Sequence, residues 1–117
     1  MGMRTRAVAE AYADIIREVR DAPLTISEIA EIVGVNDRQV HHWAASTHRP
    51  QAGARDALLE LRYVVKQLGE VYRPEGVDIW LHSRNVELEG RRPIDLLMSR
   101  DFATVLWAIE RLKGGAV

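Results

Sequence analysis

The sequence predicts an all-α fold, with a helix-turn-helix over residues 1–55 and a small helical unit over residues 56–117. Three observations predict it. Apolar residues recur at gaps of three and four along most of the chain, the period of a helix that buries one face. Two candidate helix starts carry reciprocal capping boxes, Thr25 with Glu28 and Asn36 with Gln39. No segment alternates apolar and polar residues over strand length, and Leu88, between Glu87 and Glu89, is the one place for a short extended piece. A chain of 117 residues, 47% hydrophobic and 28% charged, suits one compact domain or two small subdomains sharing a core.

Each element has a local reason. The first helix is expected over residues 4–20, where Val8, Tyr12, Ile15, Ile16 and Val19 form a stripe among alanines. Pro23 ends it. Thr25 opens the second helix, which runs to about Val33 and stops at Gly34. Asn36 opens the third, to about Ala45, and residues 46–54 read as loop by composition. Leu58, Leu61, Val65, Leu68 and Tyr72 then mark an amphipathic helix over residues 56–72. Pro74 opens a short helix through Val77, Ile79, Trp80 and Leu81. Residues 83–92 are polar and turn-like, and Pro93 opens a helix over 94–98. A last helix, 101–113, is expected to bury Phe102, Val105, Leu106, Ile109 and Leu112, with Gly114 and Gly115 ending it.

Composition excludes several function classes. Without cysteine there is no disulfide scaffold, thiol catalysis or Cys-based zinc site. No apolar run approaches the ~20 residues that span a membrane. Residues 1–6 carry charge with no apolar stretch behind it, and Arg6 stands where a myristoylation signal needs Ser or Thr, so a cytosolic soluble protein is expected. Sixteen Lys and Arg face seventeen Asp and Glu, and neither half is a basic patch. Fourteen of those cations are Arg, which suits bidentate pairing with carboxylate or phosphate, although codon usage in the source genome explains the bias better. No nucleophile elbow, phosphate loop or dinucleotide glycine signature is present, and Glu87 and Glu89 gather no acid–base partner. Neither an enzyme nor a resident cofactor is expected.

The second and third helices carry a sharper pattern. A helix-turn-helix needs a small residue where its helices touch, a glycine at the turn and apolar residues facing inward. Ala30, Gly34, Ile29, Val33, Val35, Val40 and Trp43 meet all seven of these constraints. An ordinary helical hairpin is the alternative. In the helix-turn-helix reading the third helix enters the major groove, presenting Asn36, Asp37, Arg38, His41 and His42. Arg38 could read a guanine edge and Asn36 an adenine. Thr47 and Arg49, in the loop that follows, could hold phosphate. Asp37 opposes phosphate but suits a helix N-terminus. A plain solvated face is the competing reading of these residues. A metal site is not expected, because His41 and His42 point about 100° apart on a helix and Asp78 with His82 supplies only two ligands.

The second half follows a distinctive order: Trp80-Leu81, Asn85, Leu88, Gly90-Arg91-Arg92-Pro93, then Asp95-Leu96-Leu97 and a closing helix ending at Gly114. This order resembles the toxin-binding domain of Xre–MbcA–ParS antitoxins. A helix-turn-helix ahead of that domain is also the family arrangement, so the resemblance covers about residues 24–117. Ile26 departs from it, standing where Xre-type proteins often carry a Gln that clamps phosphate. The resemblance implies a RES-domain toxin as partner, a toxin that consumes NAD and whose active site the antitoxin's C-terminal region blocks. It also implies a homodimer within a larger toxin–antitoxin assembly and repression of its own operon through operator DNA. The partner-facing set is then Trp80, Asn85, Arg91, Arg92, Trp107, Arg111, Lys113, Gly114, Gly115, Ala116 and Val117.

The residues can be read without the family as well. Trp107 lies about 140° around the helix from Phe102, off the buried stripe, so it is either a contact anchor or packs beneath residues 83–92. Arg91 and Arg92 could pair acidic groups on a partner, or brace the loop onto Asp95 at a helix N-terminus. The small tail, 113–117, fits a narrow cleft or is simply a frayed end. A helix-turn-helix repressor whose second half only dimerises is the alternative function.

Overall fold

The computed structural model describes residues 3–114. Seven α-helices and one 3₁₀ turn make up the described residues: α1 (Met3–Asp21), α2 (Ile26–Val33), α3 (Asp37–Ala44), α4 (Ala52–Gly69), α5 (Pro74–His82), the 3₁₀ turn Val86–Leu88, α6 (Pro93–Met98) and α7 (Phe102–Leu112). The all-α fold expected from the sequence is the one found. Both capping boxes form: Thr25 Oγ1 accepts from the Glu28 amide at 3.0 Å, and Asn36 Oδ1 from the Gln39 amide at 2.9 Å. Gly34, at φ +81°, ends α2 in the left-handed region. Pro74 and Pro93 sit in the first turns of α5 and α6, where a missing amide hydrogen costs nothing.

The halves share one core. α4 packs against α1, α2, α5 and α7, and so touches both sides of the expected 55/56 boundary. Leu58, Leu61 and Leu68 of α4 are fully buried, as are Ile29 and Ile32 of α2 and Leu97 and Val105 farther along. α1 lies along α3, with Ile16 and Val19 turned inward. The helix-turn-helix pattern closes as its spacing requires: Ile29, Ala30, Val33, Val40 and Trp43 are buried and Val35 is partly so.

Several boundaries and faces differ from expectation. α4 starts at Ala52 rather than 56, because Ala52-Gly53-Ala54 continues the helix from an extended Gln51 instead of extending the loop. It ends at Gly69, with Tyr72 in the link to α5. Leu88 is not extended but anchors the 3₁₀ turn from inside the core, and the one isolated bridge pairs Asn85 with Arg91 around it. On α7 the buried face is Phe102, Val105, Ala108 and Ile109. Leu106 is only partly buried, because small Ala108 takes the inward position and the stripe rotates away from it; Leu112 shares the face of Ala108 and Ile109 but is exposed as the last residue of α7. In α1, likewise, Ala9 and Ala13 take buried places beside Ile15 and Ile16.

Candidate functional site

Residues 83–92 form a built loop. The Asn85 amide donates to Arg91 O at 3.1 Å, and Asn85 O accepts from Leu88 and Gly90 at 3.0 and 2.9 Å. Its side chain accepts from the Glu87 amide at 2.8 Å. Arg84 Nη1 donates to Gly90 O and Arg91 Nε to Leu88 O, each at 3.0 Å. Leu88 plugs the loop into the core, and Val86 is left at its tip, 93% exposed. Asn85 and Arg91 therefore hold the loop in shape. Arg92 grips Asp95 with two parallel bonds, Nε–Oδ2 at 2.9 Å and Nη2–Oδ1 at 2.8 Å. Those bonds, assisted by the Arg92 charge and against slight burial, hold the Asp95 carboxyl below its usual range.

α7 borders this loop. Trp107 is 49% exposed, and the Arg111 guanidinium lies 5.2 Å from its ring centroid. Arg111 Nε also meets Glu87 Oε2 at 2.7 Å, so Trp107, Arg111 and Glu87 form one surface, with exposed Val86 next to Glu87 in the chain. Trp107 therefore stays in solvent rather than packing beneath the loop. Lys113 Nζ donates to Gln67 Oε1 and, at 2.8 Å, to Glu70 Oε1, tying the end of α7 to the end of α4. Trp80 is partly buried against the core. Gly114 is left-handed at φ +79°. Gly115, Ala116 and Val117 lie outside the described residues.

The outward face of α3 is more self-contained. Asn36 Oδ1 is held as a helix cap, and Asp37 Oδ2 accepts from Ser27 Oγ at 2.6 Å. Thr47 Oγ1 donates to His42 O at 3.0 Å, and the His42 and His48 rings stack at 4.6 Å. Arg38, His41 and Arg49 are exposed and make no ion pair among the described residues. No group of three or more His, Asp or Glu poised to hold a metal occurs among the described residues.

Beside the shared core, two polar contacts tie α2 to the second half. His82 Nε2 meets Glu28 Oε2 at 2.6 Å, and its Nδ1 meets Asp78 O at 2.8 Å and Asp78 Oδ1 at 3.0 Å. Both ring nitrogens face acceptors, an arrangement that only the imidazolium satisfies. Burial works to lower the His82 pKa, but the bonds to Glu28 and Asp78 and their charges outweigh it and raise it. Burial likewise works to raise Glu28, and the bonds from Thr25 and His82 outweigh it and lower it. At the other end of α2, Arg100 reaches across with Nη2 on Val33 O at 2.8 Å and Nε on Ile32 O at 3.3 Å. Sequence reasoning passes over Arg100, Val86 and the Glu28–His82 pair. Only Val86, which with Leu88 is one of two apolar residues in the polar stretch 83–92, left a readable signal.

Residues 67–115 match the family described as the antitoxin Xre/MbcA/ParS C-terminal toxin-binding domain. The chain is 34% identical over 104 residues to a Mycobacterium tuberculosis protein named a probable mycobacterial cidal antitoxin, covering 89% of each. It is 35% identical over 92 residues to the mycobacterial cidal antitoxin MbcA of Mycobacterium bovis, covering 79% of this chain and 81% of that one. Its fold is similar to a chain in the crystal structure of the M. tuberculosis MbcT-MbcA toxin-antitoxin complex. The TM-score is 0.76 at 31% identity, over 90% of this chain and 96% of that one.

Proposed function

The chain belongs to the Xre/MbcA/ParS family of antitoxins, and on that premise we propose that it neutralises a RES-domain, NAD-degrading toxin by occluding its active site. It acts by binding and catalyses nothing itself. The observation that carries this reading is the surface of Trp107, Arg111, Glu87 and Val86. An indole held half in water by a cation, beside an almost fully exposed valine on a braced loop, is apolar area that the fold leaves uncovered. Aromatic and Arg anchors of this kind carry most of the energy in protein interfaces. All four residues lie within the 67–115 match. Trp80, partly buried on α5, and Arg92, paired with Asp95, complete the partner-facing set, while Asn85 and Arg91 shape the loop from within. Lys113 and the tail from Gly114 to Val117 lead from α7 into the toxin's cleft.

The helix-turn-helix represses the operon of the pair in this reading, with Arg38 and His41 toward base edges and Arg49 toward phosphate. Asn36, Asp37, His42 and Thr47 hold the recognition helix and its following loop in shape rather than reaching out. The chain works as a homodimer inside the toxin–antitoxin assembly, in the cytoplasm. No described helix is long and apolar enough to cross a membrane.

The test mixes the purified chain with a RES-domain toxin and follows NAD consumption, comparing full-length protein with a truncation after Leu112. Full-length protein should abolish NAD loss, and the truncation should bind without full inhibition. A full-length chain that neither binds nor inhibits such toxins contradicts the reading. It would leave the repressor whose second half only dimerises, recognisable by DNA binding that weakens steeply with salt.

A further inference from the structure

Arg100 occupies an unusual position. It follows α6 at φ +64°, a left-handed conformation that normally falls to glycine. The Arg100 amide donates to Leu97 O at 2.9 Å and the Asp101 amide to Leu96 O at 2.8 Å, which closes the end of α6 and fixes that conformation. The turn directs the guanidinium at the C-terminus of α2, 67 residues away in sequence, where it bonds Val33 O. Together with Ile32 O, these are last-turn carbonyls that α2 cannot satisfy itself, and they lie at the negative end of its dipole. Gly34 makes the approach possible, since a Cβ there would collide with Arg100 Nη2. The next residue, Asp101, caps α7: its Oδ1 accepts from the Thr104 amide at 3.2 Å and its Oδ2 from the Thr104 hydroxyl at 2.6 Å. One dipeptide thus grips the turn of the helix-turn-helix and the start of the helix that carries Trp107.

We propose that Arg100 is a mechanical strap that couples the seating of α7 to the geometry of the α2–α3 turn. A displacement at the start of α7 moves Asp101 and with it the guanidinium that fixes the turn ahead of the recognition helix. In the function proposed above, on which this consequence rests, occupation of α7 by a partner changes the affinity of α3 for DNA. By linkage, DNA then changes partner affinity by the same factor. Arg100 is a positioning residue here and touches neither ligand.

The strap can be tested on the full chain alone, so its failure is separate from any failure of the toxin or operator assignment. Amide hydrogen exchange is followed at Gly34 and Val35, whose amides both donate to Ala30 O, with Leu61 inside α4 as the internal reference. Arg100→Gln should raise exchange at Gly34 and Val35 by about tenfold, the scale of one lost charge-assisted bond, and leave Leu61 unchanged. Asp101→Ala, which removes the α7 cap, should raise exchange at the same two amides in the wild-type background. In the Arg100→Gln background it should add nothing there. Thr104→Val, which deletes only the hydroxyl bond, is a milder second arm with the same dependence on Arg100. Equal effects of the α7 variants in both backgrounds would overturn the proposal, as would their silence at Gly34 and Val35. The Glu28–His82 pair stays intact in every variant, so the two halves keep their second joint throughout.

Discussion

The outer faces of α3 and α7 are both open to solvent, and they differ in what they leave unsatisfied. On α3 and the loop after it, polar groups bond one another: Asn36 caps, Asp37 takes Ser27, and Thr47 and His48 close over His42. Such a face is stable in water as it stands, with Arg38 and His41 free to reach outward. On α7 and its loop the polar groups are also paired, but they frame apolar area, with Trp107 half exposed and Val86 almost entirely so. Apolar surface on a braced frame is favourable to cover and needs little ordering when covered. The contrast separates a face suited to electrostatic, salt-sensitive contact from one suited to a dry protein interface.

The comparison breaks most visibly at Trp107. Trp107→Ala should weaken toxin binding on the order of 100-fold, as truncation of a central aromatic anchor does, while leaving the melting temperature nearly unchanged. Arg38→Ala, measured by the same titration, should leave toxin affinity intact; in a separate DNA titration it should weaken the operator binding proposed above.

Two glycines sharpen it next. Gly34 and Gly90 share φ +81°, but a Cβ at Gly90 meets open space while one at Gly34 displaces Arg100. In denaturant melts Gly90→Ala should cost about 1 kcal/mol, the left-handed penalty alone. Gly34→Ala should cost about twice that, because the guanidinium also loses its carbonyls. Equal costs would mean that the strap contributes nothing to stability.

pH distinguishes the two joints of α2. The folded-state pKa of His82 is raised, so its contribution is fully present below the ordinary histidine value of 6.5 and fades as pH rises through the raised one. The lowered pKa of Glu28 means that its contribution is present above the ordinary 4.5 and fades as pH falls through the lowered one. The pair therefore contributes most between those two values. His82→Gln should flatten the decline in thermal stability above this window, whereas Arg100→Gln should lower stability without changing its pH profile. The smallest effect belongs to Lys113→Ala. That substitution loses a surface link to Glu70 and the bond to Gln67, and should cost no more than about 1 kcal/mol in a thermal melt.

Much of this architecture was legible. Helix number, both capping boxes, the proline starts and the seven helix-turn-helix positions follow from short-range rules that act within a few residues. Errors fell where small residues gave ambiguous signals. Ala52-Gly53-Ala54 reads as loop but continues a helix, and Ala108 rather than Leu106 faces inward. The site was legible only in part. Trp107 stands out on a helical wheel because its angle is set by the helix itself. Arg91, Arg92 and Asn85 could be chosen by type, but which of them braces the loop depends on hydrogen bonds that close across it. Arg100 left no trace, since nothing local marks an arginine as adopting a left-handed conformation. Its reason lies in α2, 67 residues earlier.

The most direct measurement is the hydrogen-exchange footprint of this chain with a RES-domain toxin bound. Protection should concentrate over residues 84–92 and α7, with the outer residues of α3 unchanged. Protection over residues 36–45 with α7 left at its free rate would contradict the proposed function.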